Sequence, residues 1–154
     1  MLRGLTTVNL ISDDVPAAVA WYSELLGTEP YFMREVDGKP VYVEFRIGDY
    51  QHELGIVDSR FAPDDRSDKA GGAVTYWHVD DVHATFERLL SLGAAVHQEP
   101  IERGPGFVPA SVVDPFGNIL GVMYNQHYLD ILESRGSVTL TALPSPGPIA
   151  GDAG

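Results

Sequence analysis

Few side chains in this sequence are of a kind that could do chemistry, and their spacing decides which kind. His52 stands beside Glu53, a pairing that looks like two metal ligands. Adjacent strand residues point to opposite faces, so the two cannot chelate one ion together. Glu44 and Arg46 alternate with apolar neighbours and share a strand face with Tyr42, which suits an ion pair or a polar ligand. Tyr76 and His78 share a face in the same way. His78 lies close to Asp80 and Asp81, so a capping or surface role fits it better than catalysis. Glu53, His78 and Glu44 are the candidates for a general base. His83 and His97 lie apart from these groups, and His127 follows the last strand. The chain has no cysteine, hence no thiolate and no disulfide framework. No serine sits in an elbow context and no glycine-rich phosphate loop is present, so acyl and phosphoryl transfer find no machinery.

The elements that must position these residues occur twice. Asp13-Asp14-Val15 returns as Asp80-Asp81-Val82, and Leu54-Gly55-Ile56-Val57 returns as Leu120-Gly121-Val122-Met123. Such a period is a duplicated supersecondary unit rather than a solenoid repeat. In the first copy, Leu5 to Ile11 alternates as a strand, and Asp13 or Asp14 caps a helix with Pro16 in its first turn. Gly27 closes that helix after Leu26. Strands follow near 31–36, 41–47 and 53–57, with Asp37-Gly38 as a hairpin turn. On the middle strand Val41, Val43, Phe45 and Ile47 should meet the helix. The second copy repeats the order with a strand over 73–79, a helix over 82–92 and strands over 94–99, 108–113 and 119–124. Trp21 and Trp77 read as core residues. The expected divisions are a first module over 4–57, a mobile linker over 58–72 and a second module over 73–124. A short C-terminal helix should occupy 125–135, and a Pro/Gly-rich tail without order 136–154.

Composition narrows the partners. The 154 residues suit one compact domain, and at 44% hydrophobic they can form a core. A net charge of −12, from 22 acids and 10 bases, leaves no basic stripe for nucleic acid or an anionic membrane. The N-terminus reaches Asp13 and Asp14 before a signal-peptide core can develop, and no apolar run is long enough to span a membrane. A cytoplasmic protein is expected.

The order βαβββ-βαβββ, with Asp-Asp-Val opening each helix and Asp114-Pro115-Phe116-Gly117-Asn118 before the last strand, resembles the vicinal oxygen chelate superfamily. That group includes glyoxalases, extradiol dioxygenases and bleomycin-resistance proteins. The resemblance covers roughly residues 4–128 and implies an α+β fold whose two modules curl into a U-shaped trough. It also implies a divalent metal in catalytic members, at positions that fall here on Thr7, Val74, Gly55 and Gly121. Those residue types offer neither imidazole nor carboxylate, so no metal and no other cofactor is expected. The two glycines should widen the trough there.

With Thr7 and Val74 facing the trough, strand alternation brings Thr7, Asn9, Glu44, Arg46, Glu53, Tyr76, His78 and Gly121 to one side as the ligand-binding set. The expected function is metal-independent binding of a small organic molecule there, cationic in the bleomycin-resistance version. A superfamily enzyme, of the lyase, isomerase or dioxygenase-like kind, is the alternative; it would be metal-free or use relocated ligands. A homodimer is the expected assembly, since open sheet edges pair.

Overall fold

Each Asp-Asp-Val starts a helix for the same reason. The second aspartate of each pair turns its carboxylate onto an otherwise unpaired helix N–H, Asp14 onto Ala17 and Asp81 onto Ala84. The helices so begun are α1 (Val15–Leu26) and α2 (Val82–Ser91). Gly27 ends α1 in the left-handed conformation at φ 65°, which glycine adopts without strain. The computed structural model describes residues 5–62 and 70–141, the last six as backbone.

The strands are β1 (Thr7–Ser12), β2 (Phe32–Val36), β3 (Lys39–Ile47), β4 (His52–Asp58), β5 (Tyr76–His78), β6 (Ala95–Gln98), β7 (Phe107–Val113) and β8 (Ile119–Asn125). They form two four-stranded mixed sheets of equivalent order, β1-β4-β3-β2 and β5-β8-β7-β6. In each, the module's first strand runs parallel to its last, and the remaining pairs are antiparallel. The β2–β3 hairpin turns at Asp37-Gly38, both with positive φ, which matches the twist of the flanking strands. This is the expected α+β pair of modules.

The β3 alternation is as the sequence sets it out. Val43 and Phe45 are wholly buried against α1, with Leu10, Leu54 and Ile56. A second cluster joins Phe86 and Leu89 of α2 to Ala110, Val112, Leu120 and Val122. Trp21, Leu25 and Trp77 pack against both clusters, so the modules share an interior. The indole N–H of Trp21 donates to the carbonyl of Leu92, 2.7 Å away, which satisfies its one polar atom across the junction.

The Asp114–Asn118 turn makes the firmest link. Asp114 is buried, and its Oδ1 accepts the N–H groups of Phe116 and Asn118 at 2.9 and 2.8 Å. Its Oδ2 accepts the Tyr22 hydroxyl of α1 at 2.6 Å. Asn118 then pairs with Ile11 as another strand would: Oδ1 accepts Ile11 N–H and Nδ2 donates to Ile11 C=O, each at 3.0 Å. The free edge of β1 is thereby capped by a side chain of the other module.

Two boundaries depart from expectation. β5 spans Tyr76–His78 only, because β8 pairs with just these residues of the expected 73–79 strand. The last helix, α3 (Gln126–Thr141), runs past Ser134 and through Gly136. The proline-rich composition that argued against order begins only at Pro144. Residues 63–69 of the expected mobile linker and 142–154 of the expected tail lie outside the described residues. No described helix is long and apolar enough to cross a membrane.

Tyr22→Phe should cost about 2 kcal/mol in urea unfolding, the worth of a hydrogen bond to a charged group. Burial first, then the Asp114 charge and hydrogen bond, push the Tyr22 phenol well above its ordinary 10.0. Its stabilisation is therefore complete below pH 10 and lost as pH rises further. The wild-type advantage over Tyr22→Phe should shrink above about pH 10 when Tm is followed against pH.

Candidate functional site

The face of the first sheet that turns away from α1 carries the polar residues. Thr7, Asn9, Glu44, Arg46 and Glu53 all lie there, because β1, β3 and β4 each send their other residues into the core. Thr7 is in register with Glu53, and its hydroxyl donates to Glu53 Oε2 at 2.7 Å. Arg46 lies opposite Glu53 on the other side, its guanidinium 3.2 Å from Oε1. The same guanidinium stands over the Tyr31 ring, 4.5 Å from its centroid, a cation–π contact. Glu44 accepts the phenol protons of both Tyr31 and Tyr42 through short hydrogen bonds. Phe32 meets Tyr42 edge to face at 6.2 Å.

These contacts set the charges. The Thr7 hydroxyl, then the Tyr31 phenol with Arg46 beside it, hold the Glu53 carboxyl below its ordinary 4.5. The Glu44 hydrogen bond leads the causes that push Tyr31 up to about 12. Desolvation, then the bond to Glu44, pushes Tyr42 up as well. Around neutrality Glu53 is therefore charged and the Tyr31 and Tyr42 phenols are protonated, with the donors and acceptors of the cluster mutually engaged.

On the second sheet Tyr76 and Gly121 are in register, as Asn9 and Gly55 are on the first. The glycines do not widen the trough. A Cβ on Gly55 would come within 2.2 Å of Asn9 Oδ1, and one on Gly121 within 2.7 Å of the Tyr76 ring. The neighbouring carboxamide and phenol ring occupy the room that the glycines release. At the expected metal positions the Thr7 hydroxyl is bonded to Glu53, and Val74, Gly55 and Gly121 bring no donor. No group of three His, Asp or Glu side chains among the described residues could hold a metal ion. These positions do not fit the family's divalent metal.

His78 stands apart from the polar cluster and from the surface role expected of it. Its side chain is only 10% exposed, because α3 lays Tyr128 flat against the imidazole at 4.7 Å and Tyr124 flanks it at 5.6 Å. Tyr128 reaches on to the first module, where its hydroxyl donates to Asp49 Oδ2 at 2.8 Å and its ring meets Tyr50. Burial and Asp49 push this phenol up to about 12. His97 bonds Ser111 at 2.7 Å, but Ser111 is fully buried and offers no accessible nucleophile.

Two spaces adjoin at this junction. A polar groove of about 860 Å³ runs from Thr7, Arg46 and Glu53 past His52 to His127 and Tyr128. An apolar cavity of about 450 Å³ lies between the modules, walled by Leu25, Ile47, Tyr76, Trp77, His78 and Leu89 among others. Leu5, Tyr50, His52 and Tyr128 line both. The sequence reading lacked Tyr31, Tyr50, His52 and Tyr128 in the site. Tyr42 was legible on the Glu44 face, whereas nothing in the sequence signals that α3 folds back to bring Tyr128 to Asp49.

Two βαβββ modules packed about a shared interior, with a polar-aromatic sheet face beside the junction, define a glyoxalase-type protein. The sequence model for the Glyoxalase/Bleomycin resistance protein/Dioxygenase superfamily matches residues 4–122, and the chain belongs to that superfamily. A glyoxalase-related enzyme from Fulvimarina pelagi is 20% identical, with TM-score 0.63 over 80% of this chain and 89% of the other. A superfamily member from Sphaerobacter thermophilus is 19% identical, with TM-score 0.62 over 79% and 97%. A lactoylglutathione lyase from Agrobacterium tumefaciens is 22% identical, with TM-score 0.57 over 80% and 94%. At these identities the likeness is one of fold. No curated protein matches the chain.

The glycines supply a test. Gly121→Ala should destabilise by about 1–3 kcal/mol, as overpacking does. Its new Cβ would meet the Thr75 carbonyl oxygen at 2.8 Å as well as the Tyr76 ring, and backbone cannot swing away. Gly55→Ala should cost less, because the nearest atom belongs to the movable Asn9 side chain. Urea denaturation of both variants checks the order.

Proposed function

We propose that this protein binds a small organic molecule without a metal ion, in the groove that starts at Thr7, Arg46 and Glu53 and adjoins the inter-module cavity. The observation that carries the reading is the state of the carboxylates. A general base must work near the ambient pH with a lone pair free. Glu53 is held below its ordinary value, and Glu44 accepts two phenols. The lyase, isomerase or dioxygenase-like alternative would draw its base from these groups or its Lewis acid from a metal set that the described residues do not form. What the cluster does well is stand still: a preorganised surface of donors, acceptors and rings loses little entropy on meeting a ligand. Glu44 and Glu53 share this face with Arg46 and with Arg34, which is in register with Tyr42. The face is thus near charge balance, and shape and hydrogen bonding, rather than ligand charge, set the selectivity proposed here. Assembly as a homodimer belongs to the same proposal, supported by exposed Phe32, Met33 and Val36 on edge strand β2.

Protein dialysed against a chelator should keep its affinity for any hit from a small-molecule thermal-shift panel. Elemental analysis finding about one tightly held divalent ion per chain would overturn the reading. Glu53→Gln should weaken a groove ligand several-fold. Since the folded state lowers the Glu53 pKa, its stabilisation is present above pH 4.5 and lost as pH falls through the lowered value. The Tm gap between wild type and Glu53→Gln should therefore close on acidification. Light scattering should give twice the chain mass.

A further inference from the structure

One buried side-chain nitrogen or oxygen among the described residues has no partner: Nε2 of His78. Buried polar atoms are almost always paired, so an orphan calls for a reason. The imidazole is otherwise firmly held. Nδ1 accepts the backbone N–H of Asn125 at 3.3 Å, which puts the ring proton of the neutral imidazole on Nε2. One ring face lies on Tyr128. Nε2–H is therefore a fixed donor. The nearest carboxylate oxygen, Asp80 Oδ1, is 3.7 Å away, beyond hydrogen-bond reach, on a side chain 99% exposed to water.

His78 lines the inter-module cavity, and the walls around it are mostly apolar. The phenols of Tyr22 and Tyr128, which also line it, are already given to Asp114 and Asp49. The cavity thus pairs a large apolar surface with one donor that is both buried and unpaired. Its volume of about 450 Å³ lies within the ordinary range for small-molecule pockets.

We infer that the cavity takes the aryl part of the ligand, and that His78 Nε2–H reads a hydrogen-bond acceptor, of the carbonyl or ether kind, attached to it. This rests on the small-molecule-binding reading and adds to it the class of ligand: an uncharged aromatic molecule with an acceptor next to the ring. A donor-only or purely aliphatic molecule would leave Nε2–H unpaired or the aromatic walls poorly filled.

Benzophenone and 1,1-diphenylethylene test this, because they match in shape and differ in one acceptor, C=O against C=CH2. Affinities are read by ligand-observed NMR on the full chain, and benzophenone is also photo-cross-linked to show where it sits. Wild type should prefer benzophenone roughly fivefold. Cross-links should fall on cavity residues such as Leu25, Ile47 or Leu89. His78→Phe, which keeps a ring against Tyr128, should abolish the preference while still binding both compounds. His78→Gln, which returns an N–H near Nε2, should restore part of it. Asp80→Ala should change nothing; a preference that grows markedly there would show that Asp80 and not a ligand completes His78 in the wild type, and would overturn the inference. Equal affinity of wild type for the two compounds would overturn the role of His78 while leaving small-molecule binding intact. Cross-linking confined to the Glu44–Glu53 face would overturn the cavity assignment. Absence of binding by either compound would also overturn this inference, whereas the broader reading is decided by the chelated protein and the panel.

Discussion

The buried carboxylate of Asp114 is the constraint on which the arrangement of the two modules depends. A carboxylate taken out of water is costly unless donors surround it. Here they come from its own turn, from Asn118 and from Tyr22 of the other module. Tyr22 can reach it only if α1 lies where it does, and Asn118 can bond Ile11 only if β1 lies alongside. Satisfying one charge therefore fixes a helix and a strand at once. The apolar contacts of Trp21, Leu25 and Trp77 supply area at the same junction. Burial of that kind is non-directional and would tolerate sliding; the Asp114–Asn118 bonds would not.

The two halves of the site follow opposite electrostatic logic. On the open sheet face Glu44, Arg46 and Glu53 have found partners inside the protein, and the pairings move the titrations of Glu53, Tyr31 and Tyr42 away from neutral pH. Glu53 is lowered by Thr7, Tyr31 and Arg46, and Tyr31 is raised chiefly by Glu44. Such a network is rigid. In the cavity the walls are mostly apolar, and the one buried side-chain atom without a partner among the described residues, His78 Nε2, is a donor.

Much of this was legible in the sequence, and the reason is periodicity. The duplicated Asp-Asp-Val and Leu-Gly segments located both modules, and strand alternation sorted Val43 and Phe45 from Glu44 and Arg46 correctly. It could do so because one face of each sheet is buried, which ties every side chain to a side. The residues missed have no such tie. Tyr31 precedes β2 and joins Glu44 across the sheet, and Tyr128 arrives on a helix whose direction no local pattern sets. The surface role weighed for His78 failed for the same cause: its neighbours in sequence, Asp80 and Asp81, suggest water, whereas its neighbours in space, Tyr124 and Tyr128, exclude it. The glycines were read as vacancy when each is the partner of a bulkier side chain one strand away.

The same pairing of a glycine with a bulkier side chain decides what a metal at the family's positions would require of this chain. Asn9 faces Gly55 and Tyr76 faces Gly121 at equivalent places in the two sheets. In each pair one residue has no Cβ and the other fills the space, so the sheet face stays closely packed. A ligand-bearing residue at either glycine would collide with the side chain now opposite, most severely at Gly121, where backbone is also in the way. Placing a metal ligand at either glycine would therefore take paired changes, at Asn9 with Gly55 or at Tyr76 with Gly121, and not a single substitution. The same coupling keeps the Tyr76 ring in place as a wall of the cavity that His78 also lines, so the side chain that blocks the metal position also builds the apolar one.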